Sequence, residues 1–90
     1  MAPKDLTLFY NRADKEPFYE DALRNGIRTE LMEAKYRCGL THRELESVSG
    51  VTAPAISKIK SGRSDPQIGT VLRLLIPLGK TLTVTEIDET

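Results

Sequence analysis

Apolar residues recur at three- and four-residue steps from Leu23 through Ile27, Leu31 and Ala34 to Cys38, and so line one face of a helix. The spacing predicts a long helix from Pro17 to about Cys38. Asp14 is a candidate N-cap, and Pro17 is tolerated in the first turn. Asn25-Gly26 interrupts the pattern. A mid-helix glycine costs about 1 kcal/mol, so either one helix tolerates it or two helices meet there; the single helix is the preferred reading. Gly39 follows the last periodic position and is a natural C-terminal stop.

Shorter periodic segments follow. Thr41-His42-Arg43-Glu44 has the form of a capping box and opens a helix reaching about Ser49, with Leu45 and Val48 expected inward and Gly50 at its end. Thr52 caps a third helix, Ala53 to about Lys60, anchored by Ile56 and Ile59 and stopped at Ser61-Gly62. A fourth helix, Gln67 to about Leu78, presents Ile68, Val71, Leu72, Leu75 and Ile76 and is closed by Pro77 and Gly79. Two segments break the helical rhythm. Residues 1–14 mix Leu6, Leu8, Phe9 and Tyr10 with charged groups and read as a short strand or an arm ordered by a partner. The tail from Thr81 to Ile87 is rich in β-branched residues and reads as one strand. A lone strand needs a backbone partner, either residues 6–10 or the same strand of a second copy. The second option, a symmetric homodimer through Leu82, Val84 and Ile87, is preferred. The expected fold class is therefore all-α, a helical bundle with a C-terminal β-strand. It divides into an arm (1–16), a bundle (17–80) and a strand with an acidic tail (81–90).

Composition adds limits. Ninety residues suit one domain, with 39% hydrophobic and 29% charged residues. A single cysteine excludes an internal disulfide and fits a reducing cytosol, and the N-terminus lacks the apolar core of a signal peptide, so a cytoplasmic location is expected. Cys38, on the apolar helix face, is expected as a core thiol. Thirteen basic residues balance thirteen acidic ones, which by itself is unlike a nucleic-acid binder. The distribution is uneven: Arg37, Arg43, Lys58, Lys60 and Arg63 fall in the middle, and three acids in the last five residues. A local phosphate-binding face is compatible with that. There is no phosphate-cradling glycine loop, no cluster with metal-ligand spacing and no nucleophile–base pair, so neither an enzyme nor a cofactor is expected.

Two short helices joined at Gly50 make the informative unit. The outward face of the second carries Thr52, Ala53, Pro54, Ser57 and Lys58, small enough to enter a DNA major groove. The stretch from Gly39 to Leu45, Ser49-Gly50-Val51-Thr52, the run from Ile56 to Arg63, and Asp65-Pro66 together resemble the Cro/phage-repressor (XRE-type) helix-turn-helix family. The likeness covers roughly residues 22–80. It implies a four- or five-helix bundle that binds double-stranded operator DNA as a dimer, with Thr41, His42 and Arg43 near phosphates. It places Thr52, Ala53, Pro54, Ser57 and Lys58 on bases or adjacent backbone, and Ser61 and Arg63 on phosphate beyond the recognition helix. Three positions depart from the family pattern. His42 stands where glutamine is frequent. Glu46 stands where a small alanine is usual, and so must point outward or be paired. Lys35 and Lys60 stand where an Arg–Glu bridge is frequent, leaving Lys60 to turn to solvent or phosphate.

The long first helix, residues 28–35 and the ending from Leu78 to Val84 look like HigA-type antitoxins, small DNA-binding proteins that neutralise an mRNA-cleaving HigB toxin and repress their shared operon. That likeness implies a cognate toxin as partner. It makes Leu8, Phe9, Tyr10, Phe18 and Tyr19 the candidate anchors for it, since aromatics tend to dominate interface energetics. A stand-alone regulator without a toxin, and an interaction protein that has lost DNA affinity, are the rival readings.

Overall fold

The computed structural model describes residues 4–88; the first three residues of the expected arm and the last two of the acidic tail lie outside them. Five α-helices follow one another: α1 (Thr7–Ala13), α2 (Glu16–Cys38), α3 (His42–Ser49), α4 (Ala53–Lys60) and α5 (Ile68–Leu75), the last continued by a 3₁₀ turn at Ile76–Leu78.

Helix α2 is the spine. Gly26 lies inside it without breaking it, and a Cβ there would meet nothing within 4 Å, so no close packing demands the glycine. Only the second half of α2 enters the core, through Ile27, Leu31 and Ala34. Leu23 and Cys38, expected on the same buried face, are exposed. They have the right phase but lie beyond the two ends of the stretch of α2 that buries side chains.

The core is completed by Leu45 from α3, Val51 from the turn, Ile56 and Ile59 from α4, and Val71, Leu74, Leu75 and Leu78 from the C-terminal helix and turn. Two expectations about facing are corrected. On α3 the inward pair is Leu45 and Ser49, and Val48 is exposed. Buried Ser49 is satisfied because its Oγ accepts from the Val51 N–H at 3.1 Å, across the Gly50 turn. On α5 the buried set is Val71, Leu74, Leu75 and Leu78, an i, i+3, i+4, i+7 pattern, while Ile68 and Ile76 are exposed and Leu72 is partly buried. Pro77 has no N–H to continue the α-helix, and the chain tightens into the 3₁₀ turn.

Residues 7–13 form a helix, not the short strand that was one of the two expectations for this segment. Asp5 starts it by accepting from the Thr7 N–H (2.9 Å) and Oγ1–H (2.7 Å). No residue of α1 is buried. The molecule is elongated, 59 × 22 × 21 Å.

The C-terminal strand is not formed: residues 81–88 carry no strand pairing among the described residues. The tail leaves the bundle after the Lys80 N–H donates to the Leu75 carbonyl. Leu82 packs on the core, and Thr81 and Leu82 share a groove with Leu23, Gly26 and Ile27 of α2. Farther on, Thr85, Glu86 and Ile87 lie beside Arg12 of α1. The β-branched composition suggested a strand, but a strand needs an adjacent backbone, which α1, being helical, does not offer. Among the described residues no helix is long and apolar enough to cross a membrane.

Candidate nucleic-acid interface

The α3–α4 pair is held by complementary caps. Thr41 Oγ1 accepts from the Glu44 N–H at 3.1 Å, and the Glu44 carboxylate accepts from the Thr41 N–H at 3.0 Å, the reciprocal capping box read in the sequence. Donation first from the Thr41 backbone N–H and then from its side chain holds the Glu44 carboxyl below the usual carboxylate range. Gly50 ends α3 at φ 72°, a left-handed conformation that a side chain would strain. The chain is thereby turned so that Thr52, extended at φ −66° and ψ 151°, caps α4.

The residues expected to face DNA occupy the outside of this unit. Thr41, His42, Arg43, Thr52, Pro54, Ser57, Lys58, Ser61 and Arg63 are exposed, and Ala53 is partly buried. His42 and Arg43 share a shallow groove with Glu46, Ser47 and Ala53, so the start of α3 and the start of α4 meet on one surface. Helix α4 ends in a Schellman arrangement: the Gly62 N–H donates to the Ile59 carbonyl (3.1 Å) and the Arg63 N–H to the Lys58 carbonyl (3.1 Å). Ser61 Oγ donates to that same Lys58 carbonyl and accepts from Arg63 Nε, both at 2.9 Å. Ser61 and Arg63 are thus fixed relative to the helix they follow.

The departures from the family pattern have physical answers. Glu46 points to the start of α4, where its Oε2 accepts from the Ala53 N–H at 3.0 Å. A carboxylate there satisfies an otherwise unpaired donor and complements the helix dipole. Lys60 turns to His42 rather than to solvent, with Nζ 3.1 Å from Nε2. In place of an Arg–Glu bridge, Arg28 of α2 donates from Nε to the Lys60 carbonyl at 2.8 Å. One helical turn earlier, Arg24 donates to the Ser64 carbonyl (3.0 Å) and pairs with Asp65 (3.0 Å) and Glu20 (2.6 Å).

Glu46, Arg28 and Arg24 hold the two ends of α4 and the turn after it, and the sequence analysis did not single out the two arginines. Their signal was available as a ladder, Glu20, Arg24 and Arg28, at four-residue steps beside the apolar stripe of α2. Arg37, counted among the central bases, is engaged by Glu30 and by Glu33 and adds no free charge to the surface.

The five N-terminal candidates are all exposed. Leu8, Phe9 and Tyr10 lie on α1, and Phe18 and Tyr19 on the first turn of α2. Phe18 meets Tyr19 edge to face, with ring centroids 5.2 Å apart. The three tail candidates are split: Leu82 packs on the core, Val84 is 99% exposed, and Ile87 borders the groove beside Arg12.

A family model described as helix-turn-helix matches residues 31–84. An uncharacterized HTH-type transcriptional regulator of Haemophilus influenzae is 39% identical over 71 residues, which is 79% of this chain and 72% of the relative. Among solved structures, a chain from a toxin–antitoxin module of Streptococcus pneumoniae matches with a TM-score of 0.74 and 41% identity, covering 81% of each chain.

Proposed function

This chain belongs to the helix-turn-helix family of DNA-binding transcriptional regulators, and we propose that it is the antitoxin of a toxin–antitoxin pair. In this reading it is a HigA-type protein that neutralises an mRNA-cleaving, HigB-like toxin and represses the operon encoding both. One observation carries the reading: 41% identity to a chain of the pneumococcal toxin–antitoxin module over 81% of both chains.

Repression works by occupancy of double-stranded operator DNA. Helix α4 enters the major groove, with Thr52, Ala53, Pro54, Ser57 and Lys58 on base edges or adjacent backbone. Thr41, His42, Arg43, Ser61 and Arg63 take phosphates and set the register. The exposed residues Leu8, Phe9, Tyr10, Phe18 and Tyr19 make the toxin contact. Its support is that Leu8, Phe9 and Tyr10 are exposed on α1, which buries no residue, and that Phe18 and Tyr19 are exposed at the start of α2. A homodimer forms through the tail, where Val84 is exposed and residues 81–87 form no strand within the chain among the described residues. A stand-alone regulator is the second reading, favoured by the description of the Haemophilus relative.

The deciding experiment co-expresses the chain with the product of its neighbouring gene, purifies by a tag on the chain, and tests the eluate for a gel shift of the operon's promoter. A stable complex that shifts the promoter is expected. A promoter shift without a partner assigns the chain to the stand-alone class.

A further inference from the structure

We propose that Glu46 is a specificity-determining residue. Its carboxylate shuts the start of the recognition helix to phosphate and makes the protein select a base pair bearing an exocyclic amino group, cytosine N4 or adenine N6, beneath that helix end. The proposal rests on DNA binding by the helix-turn-helix unit and is independent of the antitoxin reading.

The two helix starts on this surface differ. At α3, Glu44 and Thr41 cap each other, and among the described residues nothing accepts from the backbone N–H of His42 or Arg43. Those donors, together with the Arg43 side chain, remain available to a phosphate. At α4 every position of the first turn is closed. The Ala53 N–H donates to Glu46 (3.0 Å), Pro54 has no N–H, the Ala55 N–H donates to Thr52 Oγ1 (3.4 Å), and the Ile56 N–H to the Thr52 carbonyl (3.0 Å). A phosphate approaching α4 therefore finds no backbone N–H there and meets a negative charge.

Glu46 lies in the groove with His42, Arg43, Ser47 and Ala53, on the side that faces DNA. Oε2 is used by Ala53; Oε1 has no partner among the described residues. When the groove closes on DNA, that oxygen loses water and needs a donor in its place. In the major groove only cytosine N4 and adenine N6 supply one, whereas guanine O6 and thymine O4 present acceptors that repel a carboxylate. The N-terminal residues of a recognition helix are the ones that reach base edges in this motif. Glu46, although it belongs to the preceding helix, is held at that tip.

The test selects duplexes from a random-sequence library with the full chain and with Glu46→Gln, which retains an oxygen for the Ala53 N–H and removes the charge. The wild type is expected to enrich a motif with cytosine or adenine at one position per half-site. In the Gln variant the preference at that position falls at least about fivefold, the others persist, and affinity for a fixed mixed-sequence duplex rises about threefold to tenfold at low salt. Thermal unfolding of the variant controls for folding. Identical motifs and unchanged mixed-sequence affinity in a folded variant overturn the proposal and leave Glu46 as a helix cap alone. A wild type that enriches no motif removes the DNA-binding premise, and the Glu46 proposal with it.

Discussion

The two halves of α2 draw on similar side chains and end in opposite situations. From Ile27 to Ala34 the helix buries its apolar face under α4, α5 and the 3₁₀ turn that follows it. From Glu16 to Gly26, and throughout α1, no residue is buried, although this stretch carries Leu8, Phe9, Tyr10, Phe18, Tyr19 and Leu23. Amphipathic character is therefore not what separates core from surface. The separation depends on whether other elements of the same chain reach that part of the helix. Apolar side chains that their own fold leaves uncovered are available to a second molecule, and one of them, Tyr19, immediately precedes Glu20, which pairs with the same Arg24 that reaches Asp65.

Truncating the two halves should give opposite results. Leu74 is fully buried, and Leu74→Ala should cost about 2–5 kcal/mol. Against the roughly 5–15 kcal/mol that holds a typical domain folded, that loss should lower the urea midpoint sharply and weaken DNA binding with it. A midpoint close to wild type would mean that Leu74 does not help to hold the bundle together.

In the other half, Phe9→Ala should change stability by less than about 0.5 kcal/mol, because the ring is not packed on the bundle. The same substitution, or deletion of residues 1–14, should weaken or abolish capture of the toxin while operator binding persists. Toxin capture that survives the deletion would move the partner surface elsewhere.

Within the bundle, Arg63→Ala should weaken binding to all duplexes alike and reduce the slope of log affinity against log salt by about one, with the toxin complex intact. An unchanged slope would show that Arg63, tied to Ser61, does not reach phosphate.

The smallest effect concerns Glu44. Its folded carboxyl is held low, so its contribution to stability is present above the unfolded value and is lost as pH falls through the folded one. The Glu44→Gln variant should therefore show a shallower loss of stability than wild type on acidification below about pH 4.5. Near neutral pH it should be slightly the less stable of the two. Superimposable acid limbs would remove the capping box from the pH response.

Much of the DNA-reading unit was legible because its signals are local. The Thr41–Glu44 box, Gly50, Thr52 with Pro54, and Ser61-Gly62 each act within a few residues, and each occurs where it was read. The facing of α3 and α5 was less legible. Val48 looks like a core residue and Ser49 like a surface one until the Val51 N–H is seen to satisfy the serine. On α5, two overlapping stripes, Ile68–Leu72–Ile76 and Val71–Leu74–Leu75–Leu78, are equally apolar, and only the position of α2 selects the second.

By itself the sequence determined the helix boundaries from Glu16 to Leu78 to within a few residues, the turn at Gly50 and the membership of a DNA-binding family, because caps, glycines and periodicity act over short distances along the chain. Tertiary structure alone decided which apolar residues are buried, that α1 is left uncovered, and that the tail has no strand partner among the described residues. It also decided that Glu46, Arg24 and Arg28 converge on the two ends of α4. Those outcomes depend on which distant segments come together, and no local pattern encodes that.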